Sequence, residues 1–433
     1  MQDFIDTYLA YTEEQESPYA FHLWMALWTI AATLERHIWF DKGFYKVYPN
    51  LYTVLVAGSS FCRKSTAIEI GVGLLKKLDR PPTINSDLTS PERFLAKLSA
   101  STAVRVKGET REVVSACAVT APELSIFLGE KATNHRMVSI LSELYACPNE
   151  WSQDTLKRGM EKLRNVCVNL IGASTVSWLK KSLSHREMEG GFANRIIWVC
   201  QDGTDKIRPF PVMTDKMKAQ YKALIERLNI IRTIRGPVTL SKGARKWYEG
   251  WYDEFRNKDT TATPGFLDSY LGRRQDHLIK LGMLMAVSRG AEVDLIIEQA
   301  DFERGNSVLN TTESLMPALF EEMLIHSEEG EIASKVWSVI YKAKEIEVRV
   351  LIRRLWRVAT AERIYKTLTT FKQAGMIEEF YKGDGSSGTG DKAKPRYIRV
   401  VEEFLNLANP MAIIPIPITV PVDSLERTPP MQM

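Results

Sequence analysis

Lys64 and Ser65 close the segment LYTVLVAGSSFCRKST, Leu51 to Thr66, in which an apolar run passes through a turn into the start of a helix. That order builds a phosphate cradle, because the N–H groups of the turn and the positive end of the helix surround a polyphosphate. Gly58 supplies the tight turn, and Ser59, Ser60, Arg63 and Thr66 fall within the same cradle. Lys64 then reaches the β- and γ-phosphates of ATP, and the Ser65 hydroxyl helps to hold Mg²⁺. The pattern G-x-x-x-x-G-K-[ST] asks for a second glycine where this chain has Arg63. Glycine suits that place because the backbone comes close to the phosphates, so the Arg63 side chain has to point outward or the loop has to distort. The competing reading is an ordinary Ser-rich turn between strand and helix.

Hydrolysis also needs a carboxylate that polarises water, usually at the end of a second apolar strand. Val113 to Thr120 reads as such a strand and runs into Ala121-Pro122-Glu123, which makes Glu123 the candidate general base. Aspartate is expected just before it. Pro122 stands there instead, so the carboxylate that would steady Mg²⁺ is missing or comes from elsewhere. Alternatively, Glu123 caps the helix that begins at Leu124. Val166 to Gly172, a further strand, delivers Ser174 and Thr175 to the sheet edge where open α/β folds bind ligands. Either residue senses a γ-phosphate there, or caps the next helix. In GGFANRIIWVC, Arg195 opens a strand and is the first choice for an arginine acting on a neighbouring subunit's site, with Arg186 second. For each, a plain surface arginine is the alternative. Trp151, Lys157 and Arg158 lie in CPNEWSQDTLKRG, read as a loop that contacts single-stranded nucleic acid or is simply solvated.

These residues need a scaffold, and the chain's 433 residues suffice for two or three domains with a large core. Residues 1–49 read as helices, Met1 to Thr12 and Tyr19 to Arg36, with Trp24, Leu27, Trp28 and Ala31 at core spacing. The apolar stretch Ala20 to Leu34 is shorter than a bilayer span, and no membrane association is expected. Residues 50–204 alternate strands (Leu51 to Ala57, Thr83 to Asn85, Val113 to Thr120, Val166 to Gly172, Arg195 to Cys200) with helices (Lys64 to Leu78, Ser90 to Leu98, Met137 to Leu144, Val176 to Leu183). Such alternation predicts an α/β fold with a mostly parallel sheet. Residues 205–330 read as a helical connector or lid, with helices at Leu240 to Arg256, Gly265 to Val287 and Asp301 to His326. Five cysteines, far apart and without C-x-x-C, argue against disulfides or a zinc site and fit a reducing cytoplasm. Acidic and polar residues open the chain, so no secretory leader is expected.

Charge is uneven. Glu331 to Val400 holds 15 Lys and Arg against 8 Asp and Glu, a surplus of seven that leaves the remainder of the +4 chain at −3. Residues 331–402 read as helices Glu331 to Tyr341, Val348 to Val358 and Ala361 to Ala374, then strands Met376 to Lys382 and Arg396 to Val401 around a Gly/Ser-rich tip. Three helices and a two-stranded wing predict a winged helix. Its third helix would carry Arg363, Lys366, Thr367, Thr370 and Lys372 toward a DNA groove, with Lys382, Lys392, Lys394 and Arg396 of the wing on phosphates. A protein-binding module is the other use of such a fold. The Pro-rich residues 403–433 read as an extended tail.

Taken in order, Ala20 to Arg36, YPNLYTVLVAGSSFCRKST, TSPERFL, the APEL segment, the LIGAST segment and GGFANRIIWV resemble a P-loop ATPase family of unknown function carried by phages, plasmids and integrated elements. The likeness spans roughly Met1 to His326. Its members are similar to RecA-type hexameric helicases and are often encoded near primases. The resemblance implies a RecA-like core binding ATP and Mg²⁺, with Lys64 and Ser65 on the phosphate and metal positions, Glu123 on the acidic position and Arg195 on the arginine of the G-F-x-x-R block. It further implies a homo-oligomer, a hexamer by analogy, that acts on single-stranded or forked DNA in a bacterial host's cytoplasm with a primase or other replication protein as partner. Two functions follow as expectations: an ATP-dependent DNA helicase or translocase, or a nucleotide-binding but weakly hydrolysing initiator or adaptor. A small-molecule kinase fits the basic C-terminal part poorly.

Overall fold

A computed structural model describes residues 3–58, 62–86, 90–100, 103–107, 110–128, 131–155, 159–182, 191–204, 206–257, 269–317, 328–381 and 396–402. The chain divides into two compact units, Met1–Phe320 and Glu321–Met433.

Sixteen short strands are described, numbered here in chain order. In the first unit they are β1 (Ile38–Asp41), β2 (Lys46–Val47), β3 (Tyr52–Val56), β4 (Ile84–Asn85), β5 (Ala103–Lys107), β6 (Thr110–Val114), β7 (Ala116–Ala121), β8 (Glu150–Thr155), β9 (Gly159–Arg164), β10 (Cys167–Ser174), β11 (Ile196–Cys200), β12 (Gly236–Leu240) and β13 (Ile296–Ile297). Five of them form a parallel sheet in the order β11-β3-β10-β7-β4. The protein is therefore α/β, and the alternation in the sequence had pointed to these five segments. YTVLV, ACAVTA and CVNLIGAS are buried at every position, as strands covered on both faces must be.

The helix Lys64–Leu75 follows β3 and packs on the helix Tyr19–Leu34, which is buried nearly all round. Gly71 permits the approach: a Cβ there would lie 2.5 Å from Met25 Cε and 2.9 Å from Thr29 Oγ1. Among the described residues no helix is long and apolar enough to cross a membrane.

Several expectations need correcting. Residues 1–49 are not purely helical, since β1 and β2 form a hairpin, and β1 pairs in parallel with β12, which pairs with β13. This second sheet joins the N-terminal segment to the supposed connector. Trp24 Nε1 donates to Thr312 Oγ1 at 2.9 Å and Ile5 N–H to Ser288 Oγ at 3.0 Å, and the helix Arg274–Arg289 is as buried as Tyr19–Leu34. The described residues between 206 and 317 thus pack with the N-terminal segment inside the first unit. A helix at Asp215–Ile231, N-capped by Thr214 Oγ1, was not expected, and the other two begin at Arg274 and Gln299. Val113 to Thr120 is not one strand: it breaks at Ser115, whose N–H donates to Arg164 O (2.8 Å) and whose carbonyl accepts from Cys167 N–H (3.0 Å). Val113 and Val114 belong to the β5–β6 hairpin.

In the second unit the helices Glu328–Ala343, Val348–Leu355 and Ala361–Gln373 pack with β14 (Glu345–Glu347), β15 (Ile377–Tyr381) and β16 (Arg396–Val400), antiparallel in the order β14-β16-β15. β14 is an addition to the two strands expected. Trp337 meets Phe371 edge-on at 5.5 Å within a core that includes Leu351, Leu368 and Ile398. Gly375, at φ +70°, ends the third helix as only glycine does cheaply. Lys382, Lys392, Lys394 and the tail from residue 403 lie outside the described residues.

Candidate functional site

β3 carries the chain to Ala57 and Gly58 at the carboxyl edge of the sheet; Ser59 and Ser60 lie outside the described residues. Arg63 is the N-cap of the helix Lys64–Leu75 and adopts a left-handed backbone, φ 45° and ψ 42°. Its carbonyl accepts from Ser17 Oγ at 3.1 Å, and its guanidinium points outward to Glu16 Oε2 at 2.9 Å. Of the two ways to fit an arginine here, the side chain takes the outward one, and the conformation a glycine would hold freely is held by bracing. Glu16 in turn accepts from Arg208 N–H at 3.1 Å, and that bond, followed by those to Arg63, keeps its carboxyl below the usual range.

Lys64 Nζ lies inside the bend, donating to Ala57 O at 2.9 Å and Gly58 O at 2.8 Å. Burial lowers its pKa, while the fields of Cys62 and Glu123 oppose that shift. Ser65 is exposed and Thr66 half-buried in the first turn of the helix. Ser174 pairs with Val56 across the β10–β3 ladder, and its carbonyl accepts from Ala57 N–H at 3.4 Å. Its neighbour Thr175 takes the capping role, accepting from Trp178 N–H at 3.3 Å through Oγ1, so Ser174 is the residue left beside the loop.

Glu123 stands just past the carboxyl end of β7. Its carbonyl starts the helix Leu124–Leu128, accepting from Ile126 and Phe127, whereas its carboxylate is exposed and makes no hydrogen bond or ion pair with the described residues. It is not a side-chain cap. β10 separates β7 from β3, which sets the Glu123 strand and the Lys64 strand about 10 Å apart. That gap admits a terminal phosphate and a water. Lys64 and Ser65, Ser174, and Glu123 are thus gathered at one edge of the sheet by three different segments.

Mg²⁺ fits this donor set, because the ion keeps several waters and needs few protein groups beside phosphate oxygens. Among the described residues no group of three His, Cys, Asp or Glu could hold a metal without such help.

Arg195 is elsewhere. It does not open β11 but ends the one-turn helix Ala193–Arg195, beside Tyr52 at the amino edge of the sheet, about 16 Å along the strands from the phosphate loop. The guanidinium donates to Gly191 O and lies 6.0 Å from the Tyr145 ring; burial, then the charge of Arg273, lowers its pKa. It cannot serve its own loop. Arg186 lies outside the described residues. Trp151 is not on a loop: it belongs to the β8–β9 hairpin, and its indole N–H donates to Glu143 Oε2 at 2.8 Å. Lys157 and Arg158 lie outside the described residues.

On the helix Ala361–Gln373, Lys366 and Lys372 are exposed and Arg363 is half-buried. Lys372 Nζ sits 3.2 Å from Glu379 Oε2, and Arg396 Nε bonds the other oxygen of that carboxylate. Burial would raise the Glu379 carboxyl, but these two cations outweigh it and hold it below its ordinary range. Two of the expected DNA contacts therefore share one carboxylate, which offsets one of their two charges.

Sequence reasoning missed Glu16 and Ser17, which brace the loop from 46 or more residues away and leave no local signal. It also passed over Trp247, Trp251 and Phe255, whose four-residue spacing was there to be seen. No protein-family model matches the chain, and no curated protein matches it.

Proposed function

We propose that the chain is a P-loop ATPase with a RecA-like core, and that it works on DNA as a helicase or translocase in the replication of a phage or mobile element. The observation that carries this is the convergence of Lys64, Ser65, Ser174 and Glu123 at the carboxyl edge of a parallel sheet, where open α/β folds bind ligands. The order β11-β3-β10-β7-β4 supports the RecA-like reading, since it inserts a strand between the one carrying the phosphate loop and the one carrying the base.

In this reading the Lys64 ammonium exchanges the Ala57 and Gly58 carbonyls for β- and γ-phosphate oxygens, and Ser174 contacts the terminal phosphate. Ser65 would help to hold Mg²⁺, which would supply charge neutralisation when bound. Glu123, whose carboxylate makes no hydrogen bond or ion pair with the described residues, orients the attacking water and takes its proton. Arg195 acts in trans, which its place at the opposite edge of the sheet favours, so the active form is a homo-oligomer, a hexamer by resemblance. The second unit, with three helices and an antiparallel sheet, is read as a winged helix that engages DNA through Arg363, Lys366 and the wing, or a replication partner such as a primase. Pro122, which removes the carboxylate expected beside Glu123, favours a second reading: a slow nucleotide-gated initiator or adaptor.

Phosphate release measured with and without single-stranded DNA tests the proposal. The wild type hydrolyses ATP faster with DNA. Lys64→Ala abolishes the activity, and Glu123→Gln lowers it by about 10²- to 10⁴-fold while nucleotide still binds. Nucleotide binding without turnover in the wild type selects the second reading, and activity unchanged in Lys64→Ala ends both.

A further inference from the structure

The helix Lys242–Arg256 reads KGARKWYEGWYDEFR, so Trp247, Trp251 and Phe255 share one face. Their rings are nearly parallel, with centroids 6.4 Å apart at 5° and then 5.2 Å apart at 7°. Gly250 interrupts the same face, and a Cβ there would meet nothing within 4 Å, so the ladder borders open space. This space is a cleft of about 910 Å³. Its far wall is the polar face of the helix Gln299–Glu313.

The polar wall is ordered by Arg274, which is buried within 5.4 Å of the Trp251 and Phe255 rings. Its Nε donates to Glu313 Oε2 at 2.7 Å, and one terminal nitrogen donates to Asn306 Oδ1 at 3.0 Å and Asn310 Oδ1 at 2.7 Å. A guanidinium only donates. It therefore fixes both amides oxygen-inward and leaves their NH₂ groups to offer to the cleft. Gln299 donates its own NH₂ to Glu303 at 2.8 Å, which leaves its oxygen as an acceptor. Lys246 and Arg274 are balanced by Glu254 and Glu313, so the cleft does not select an anion.

An aromatic wall facing a row of fixed donors and an acceptor, with no net charge, is complementary to a flat neutral ring with a hydrogen-bonding edge. Phe302 already stacks on Trp247 at 5.9 Å and 14°, so the ladder is open at its Trp251–Phe255 part. We propose that this cleft binds an unpaired nucleobase, its ring packed on Trp251 and Phe255 and its edge on Asn306, Asn310 and Gln299. The site is separate from the phosphate loop: Arg273, next to Arg274, donates to Asn194 Oδ1 at 2.9 Å, beside the amino end of β11. The proposal stands independently of ATP hydrolysis.

The full chain without ATP is titrated with fluorescein-labelled oligo(dT) by anisotropy and with dTMP by calorimetry, and oligo(dT) containing 5-iododeoxyuridine is photocrosslinked and mapped. Trp251→Ala is expected to weaken oligo(dT) binding about 5- to 100-fold and Trp251→Phe far less. Asn310→Asp keeps the Arg274 partner but removes the offered donor, and should also weaken binding. Crosslinks should fall on the Trp247–Phe255 segment, with phosphate release in Trp251→Ala without DNA unchanged. If dTMP binds and oligo(dT) does not, with the same variants weakening dTMP, the base belongs to a free nucleotide. Oligo(dT) and dTMP affinities unchanged in Trp251→Ala and Asn310→Asp, crosslinks confined elsewhere, or no binding of either ligand overturns the proposal.

Discussion

Arg63 occupies a backbone region that costs an L-residue roughly 1–2 kcal/mol and glycine almost nothing. Among the described residues the outward pair with Glu16 and the Ser17 bond to its carbonyl oppose that strain, and the guanidinium is too exposed for the pair to contribute much. Arg63→Gly gives up the pair and gains chain entropy in the unfolded state, so the net rise in stability should be about 0.5 kcal/mol. Arg63→Ala loses the same pair and keeps the strain, so it should not stabilise. Urea unfolding of the three proteins checks this, and a gain in the alanine variant would locate the cost in the guanidinium instead. Because the side chain already points away from the bend, nucleotide affinity should change little in either variant. A large rise in affinity for both would mean that the guanidinium obstructs the cradle.

Between elements, the contact that sets the loop's base is the helix Lys64–Leu75 against Tyr19–Leu34. Gly71 faces that helix, whereas a Cβ at Gly73 would meet nothing within 4 Å. Gly71→Leu should therefore destabilise by about 1–3 kcal/mol through overpacking, while Gly73→Ala should stabilise by up to about 1 kcal/mol through helix propensity. Thermal melts of both variants decide it, and equal effects would deny the close approach. β3, β7, β10 and β11 announce themselves because a strand covered on both faces has to be a nearly continuous apolar run. β1, β2, β12 and β13 do not: they are two to five residues long, β1 pairs with β12 across nearly 200 residues and β12 with β13 across more than 50, and β2 is a two-residue strand on β1. Asp215–Ile231 was readable from Met217, Leu224, Leu228 and Ile231 at helical spacing, but the Pro-containing segment before it drew attention away. At the site, Lys64, Ser174 and Glu123 were legible because strand ends deliver them. Trp151 misled because a β-hairpin of polar residues reads as a loop.

At the scale of the whole molecule, the two units should answer acid at different pH. His22 and His277 are buried in the first unit, and neither imidazole has a hydrogen-bond partner among the described residues. Burial, then the charge of Lys206, pushes His22 down to about 3, and burial, then Lys280, Arg273 and Arg274, does the same to His277. Both imidazoles therefore stay neutral in the fold while the unfolded chain takes up protons below about pH 6.5. Stability is complete above that pH and falls as the pH drops toward 3, by on the order of 2 kcal/mol for each histidine at pH 5. Residues 331–402 contain no histidine. There the acid-sensitive contact is Glu379 with Lys372 and Arg396, whose depressed carboxyl keeps its contribution until the pH falls below the ordinary carboxylate range. Acidification from pH 7 to 5 should thus lower the urea midpoint of the first unit and leave the second in place. Limited proteolysis with mass mapping at each pH tells them apart, because the fragment surviving at pH 5 should come from the C-terminal unit. Equal midpoints for the first unit at pH 7 and 5 would show that His22 and His277 are protonated without cost. His22→Phe and His277→Phe, by removing the group that titrates, should each flatten the pH dependence by half.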